Sequence, residues 1–144
     1  MTNPIDQLGD IDEALNLVHE AASRYIASLP DRPVRPPSAE LIAPTLGGAL
    51  PEDGDGTLVA LRELIDAGTE AAIGSAGGRF FHFVVGGTTP AALAAEWLTA
   101  ALDQNTGMWA ASPFGAGMEV VAIDWLKQLF ALPAYVKPQM AGVV

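Results

Sequence analysis

The sequence has no cysteine, which excludes disulfides and thiolate metal sites and leaves the redox compartment open. Basic residues are scarce, with seven Lys and Arg against seventeen Asp and Glu in 144 residues, a net charge of −10. Nothing supplies the basic patch that phosphate backbones require, so nucleic acid is not expected as a partner on electrostatic grounds. Histidine is limited to His19 and His82, far apart and without a consistent carboxylate neighbour, so no metal site is expected. Every apolar run is interrupted well short of the ~18 residues a membrane span needs, and the polar, acidic N-terminus does not read as a signal peptide. A cytoplasmic location is the default expectation.

What the sequence does have is apolar character, at 50% of residues, enough for one domain with a modest core. The charge is unevenly placed. Thirteen of the acids and four of the bases precede Ala76, about −9 against about −1 afterwards, and only seven charged residues lie between Arg79 and Val144. Helices in that second half would be apolar around most of their circumference and must be covered on most sides. A partner subunit or further chain is therefore expected.

Taken in order, residues 1–10 read as a loose lead-in. A helix is expected over Ile11 to Leu29, with Asp10 as N-cap and Leu15, Val18, Ala22, Tyr25, Ile26 and Leu29 on one face. Pro30 ends it, and three prolines between Asp31 and Pro37 impose an extended connector. Ser38 can cap a short helix to about Ala43. The acidic run Pro51 to Gly56 lacks the ligand spacing of a calcium loop and reads as a solvated turn. Thr57 then caps a helix to about Ile73.

Everything else is organised around Arg79 to Pro133. Phe80 to Val85 is aromatic and β-branched and too short for a helix, so an extended segment is expected. Gly86-Gly87 stops it. Thr88 and Thr89 offer N-cap hydroxyls, and Pro90 suits the first position of a helix to Asp103. A polar break at Gln104 to Gly107 and a bend at Ser112-Pro113 precede a second helix, from about Ala116 to Leu132, ended by Pro133. Phe80, Phe81 and Phe83 would ordinarily be core residues, and Trp97, Trp109 and Trp125 packing anchors. Alternation puts His82 on the face opposite Phe81 and Phe83, a hydrogen-bonded or exposed histidine. The glycines before Pro90 could hold an anion, but a capped helix explains them more simply. Ser112 lacks the Gly-x-Ser-x-Gly context of a nucleophile. The fold class expected is mainly α with one short extended stretch.

Six pieces of this stretch, in order, carry a resemblance. They are Arg79-Phe80-Phe81, Gly86-Gly87 leading to Pro90-Ala91-Ala92-Leu93, Glu96-Trp97-Leu98, Asp103-Gln104-Asn105, Trp109 with Ser112-Pro113, and Trp125-Leu126 leading to Leu132-Pro133. Together they resemble the N-terminal part of the group II pyridoxal-phosphate-dependent amino-acid decarboxylases, over about Ser38 to Pro133. Beyond the helix and Pro-rich connector read at 1–37, the resemblance implies two segments: a helical decarboxylase segment at 38–133 and the start of the cofactor-binding domain at 134–144. It implies that the stretch after the paired aromatics, Phe83, Val84, Val85 and Gly86, lines the substrate pocket, and that Gln104, Asn105 and Gly107 belong to a segment projected into the partner subunit's site. Glutamate-specific members carry an amide where this chain has Phe83, so an apolar or aromatic substrate is favoured. In the family a long N-terminal helix commonly lies across the partner subunit; the connector here suits a swapped arm or a helix folded back equally.

Pyridoxal phosphate chemistry needs a lysine to carry the cofactor, an aspartate at its ring nitrogen, a stacking ring and small polar residues around its phosphate. The family places all four downstream of this stretch. Neither lysine here suits the carrier role. Lys127 sits three residues after Asp124, where an ion pair is the ordinary reading, and Lys137 precedes Pro138. The resemblance thus implies a dimer-forming, pocket-lining segment that is not catalytic alone, with no catalytic, cofactor-binding or metal residues of its own; the cofactor belongs to the complete enzyme. The competing reading is a non-catalytic helical oligomerisation or interaction module. A self-contained small-molecule-binding domain has no convergent polar groups to recommend it.

Overall fold

The computed structural model describes residues 4–40, 46–50 and 52–133. The last segment implied by the resemblance, 134–144 with Lys137, lies outside them, as do residues 41–43 of the short helix expected after Ser38. The chain is mainly helical, as expected, and forms two compact units, residues 1–88 and 89–144.

The first unit is a pair of helices, α1 (Ile11–Ser28) and α2 (Thr57–Ala71), packed along each other. Their side-chain links rise together along both chains. Arg62 reaches Glu13 at 2.8 Å near one end, and the Tyr25 hydroxyl donates to the Ile73 carbonyl at 3.1 Å at the other. The helices are therefore parallel, and the long connector between them exists to bring the chain back to its starting end. Small residues make the seam. Ala21 is buried, and Val18 and Tyr25 of α1 border the groove with Ile65 and Gly68 of α2 and with Ala72 just after it. The apolar face expected for α1 is only partly used: Leu15 and Ile26 remain 49% and 44% exposed. In this chain α1 is folded back on α2.

Two caps differ from expectation. The lead-in is not loose: Pro4–Asp10 is a 3-10 helix whose Gln7 Oε1 accepts from the Thr57 backbone N–H at 2.7 Å and from the Thr57 hydroxyl. Thr57 is the first residue of α2 rather than its cap, Gly56 precedes it at φ +87°, and Asp10 makes no side-chain capping bond to α1. A short 3-10 turn, Pro37–Glu40, follows the proline connector.

The second unit carries α3 (Pro90–Leu102) and α4 (Pro113–Leu129). Thr89 caps α3 as expected, its hydroxyl accepting from the Ala92 N–H at 3.2 Å, with Pro90 at the first helical position. Ser112-Pro113 is the same device: the Ser112 hydroxyl accepts from the Gly115 N–H at 3.0 Å, so α4 starts three residues before the expected Ala116. Among the described residues α3 and α4 do not pack on each other. Their large side chains are correspondingly open: Leu98, Phe114, Trp125 and Leu129 are 57%, 63%, 69% and 74% exposed. Trp125 is thus no anchor within its own chain, because no facing surface is present among the described residues to receive it.

Candidate functional site

The segment expected to line a pocket is the tip of a closed loop. Its entry is fixed by backbone bonds, from Gly74 N–H to the Val34 carbonyl at 2.8 Å, Gly77 N–H to Gly74 at 3.1 Å and Phe80 N–H to Gly77 at 3.1 Å. Its exit returns to the same place, for a Cβ on Gly87 would stand 3.3 Å from the Ala76 carbonyl oxygen. Twelve residues with adjoining ends have the size and form of an Ω-loop.

Phe83 and Val84 at the tip have φ of +60° and +55°, so the extended conformation expected over Phe80 to Val85 is replaced by a turn. The physical reason is that no strand is present among the described residues to pair with it, and an unpaired strand leaves its peptide groups without partners. The turn projects its side chains outward. Phe81 and Phe83 are each 87% exposed and Val84 fully so, which removes them from any core of this chain; Val85 is 49% exposed and Gly86 is open as well. The alternation argument for His82 fails with the strand, since its ring centroid lies 6.2 Å from that of Phe80 and 5.9 Å from that of Phe83.

The second candidate group sits in the other unit, in the turn between α3 and α4. Asp103 ends α3 in the left-handed region at φ +45°. The Gln104 side-chain amide donates to the Leu102 carbonyl at 2.8 Å, and Asn105 Oδ1 accepts from the Gly107 N–H at 3.0 Å. Both amides thus shape the local turn. The turn is seated on the start of α4, where Ser112 is fully buried and a Cβ on Gly115 would fall 2.5 Å from Thr106 Cγ2.

A family model, the pyridoxal-dependent decarboxylase conserved domain, matches residues 61–144. The chain belongs to the pyridoxal-dependent decarboxylase family. Among curated proteins it is similar to tryptophan decarboxylase 1 of Oryza sativa subsp. japonica, 39% identical over 54 residues, which is 38% of this chain and 10% of that relative. The matched stretch is thus a small part of that relative's length. No solved structure gives a significant match.

Among the described residues none is placed to hold the cofactor the family implies. The described lysine, Lys127, lies inside α4 with its Nζ 3.3 Å from Asp124 Oδ1 and its side chain only 14% exposed. Its stem is covered and its charge already committed. The starts of α3 and α4, where a phosphate could meet free N–H groups, are each closed by a capping hydroxyl and a proline at the first position. Among the described residues no three of His, Asp and Glu converge as a metal site would require, and no helix is long and apolar enough to cross a membrane.

Three residues with clear roles were missed in the sequence: Gln7, Arg32 and Arg79. The first bridges fifty residues to Thr57, and the two arginines act 37 to 50 residues away from themselves. No local pattern announces such links. The Ser112-Pro113 cap was legible, by the rule that identified Thr89-Pro90.

Proposed function

We propose that this chain is the dimer-forming, substrate-pocket-lining segment of a pyridoxal-phosphate-dependent decarboxylase acting on an amino acid with an apolar or aromatic side chain, and that the lysine carrying the cofactor comes from outside these residues. The family match over residues 61–144 carries the reading. The open apolar tip at Phe83 to Val85 supports it, offering hydrocarbon and ring surface to a ligand rather than to a core of its own. The absence of an amide at Phe83 and the similarity to a tryptophan decarboxylase favour an aromatic over an acidic substrate. Gln104, Asn105 and Gly107 contribute to the site of the other subunit in this reading, and the location is cytoplasmic.

The test is a hybrid enzyme in which a full-length decarboxylase of this family receives residues 61–133 of this chain in place of its own. The hybrid is expected to release carbon dioxide from an aromatic amino acid. Phe83→Asn is expected to raise its KM for that substrate about tenfold, the ordinary cost of ~1.4 kcal/mol of lost apolar contact. A hybrid active on aromatic substrates but indifferent to Phe83→Asn and Phe83→Ala would remove this segment from the pocket.

The exposed apolar surfaces of α3 and α4 favour a second reading, a non-catalytic interaction module. An inactive hybrid that still exchanges subunits with the parent enzyme would support that module instead.

A further inference from the structure

α1 and α2 run parallel, so their C-terminal ends lie together, and each end carries partial negative charge on its last carbonyls. Neither helix has a basic residue in its last turn to offset this. The cations come from the loops that follow, and they are crossed. Arg32, after α1, donates from one terminal nitrogen of its guanidinium to the Thr69 carbonyl of α2 at 2.7 Å, with the Glu70 and Ala72 carbonyls at 3.4 and 3.5 Å, and stacks 4.4 Å from the centre of the Tyr25 ring. Arg79, after α2, donates to the Leu29 carbonyl at the end of α1 at 3.5 Å and to the Arg32 carbonyl.

Arg79 is also the residue immediately before Phe80, inside the closed loop. The tip holds two consecutive non-glycine residues in the left-handed region, Phe83 and the β-branched Val84. Such a conformation persists only where the surroundings over-determine it. Within the tip the Val85 N–H donates to the His82 carbonyl at 3.4 Å and closes the turn, but the tip is exposed, so where the closed turn points is set at the base. The base is where Arg79 ties the loop to the far side of the helix pair, beside the close approach of Gly87 to Ala76.

We propose that Arg79 is the positioning residue of the candidate pocket wall: by bridging the Leu29 and Arg32 carbonyls it fixes where Phe81, Phe83 and Val84 project. This rests on the pocket reading above for its functional meaning, but the geometry is testable without it. Both bonds leave one terminal nitrogen of Arg79, whose two hydrogens are held in the guanidinium plane; a lysine ammonium, which turns freely on its stem, does not hold the two carbonyls in one fixed plane.

The experiment uses the full chain with 4-fluorophenylalanine at its five phenylalanines, read by fluorine NMR, together with backbone amide exchange. In Arg79→Gln the resonances of Phe80, Phe81 and Phe83 are expected to shift and broaden while Phe114 and Phe130 of the second unit stay in place. Exchange at the Gly77 and Phe80 amides is expected to quicken about tenfold, with the middle of α2 unchanged. Arg79→Lys is expected to melt close to the parent temperature, since the charge is kept, yet to show the same displacement of the three loop resonances. Loop resonances unmoved in both variants, or all five moved together, would overturn the proposal, as would full restoration of the loop by lysine. If Arg79→Gln fails to fold, the lysine variant decides alone. Failure of the pocket reading shows separately, as indifference of the hybrid enzyme to changes at Phe83.

Discussion

Val84 is the residue whose backbone is least suited to its side chain. A β-branched residue at φ +55° crowds its Cβ against the following carbonyl, a cost of roughly 1–2 kcal/mol in the left-handed region. Glycine removes that cost and gives part of it back as unfolded-state entropy. Val84→Gly is therefore expected to stabilise the chain by about 1 kcal/mol in urea denaturation. Gly115 is the opposite case. A methyl group there would meet Thr106 Cγ2 at 2.5 Å and Ser112 Oγ at 2.8 Å. Gly115→Ala should cost about 1–3 kcal/mol as an overpacking change, and Thr106→Ser, which deletes the closer clashing methyl, should recover part of it in the double variant. Neither position is legible in the sequence. A glycine one turn into a helix reads as a weak helix former, and nothing local says that a threonine nine residues earlier lies against it.

The helices themselves were largely legible, because their starts are written in short-range chemistry. Thr89-Pro90 and Ser112-Pro113 place an accepting hydroxyl and a residue without an N–H where the first turn needs them. Ser112→Ala is expected to cost about 1 kcal/mol and to fray the first turn of α4, seen as faster exchange at the Gly115 amide. Reading Ser112-Pro113 as a bend placed that start too late. The cap of α2 could not be read locally: composition pointed to Thr57, whereas the accepting oxygen belongs to Gln7. The extended segment failed for a related reason. Aromatic and β-branched residues report how well side chains fit a pleated surface, and β structure still requires a neighbouring strand to complete its hydrogen bonds. Phe80 to Val85 has the composition and lacks the neighbour among the described residues, so it turns instead.

For the whole molecule, the asymmetry of charge anticipated the asymmetry of packing. The acidic first half supplies a helix pair with its own small seam, whereas the second half carries two helices whose large apolar side chains stay exposed. Leaving that much hydrocarbon in water is unfavourable at about 25 cal/mol per Å². The chain is accordingly expected to self-associate at tens of micromolar in sedimentation velocity, and a monodisperse monomer there would count against a dimer-forming role. The candidate site was legible only as a resemblance: the motif order identified the family, but the closed loop and its crossed arginines rest on contacts between distant residues. In the proposed function this chain supplies scaffold and pocket wall, while the attachment of the cofactor lies elsewhere. The most direct measurement is to incubate the purified chain with pyridoxal phosphate, reduce any imine with borohydride and map the lysines by mass spectrometry. The expected result is sparse, non-saturating modification no greater than that of the urea-unfolded chain. A saturable adduct of one cofactor per chain, on Lys127 or Lys137, would contradict it.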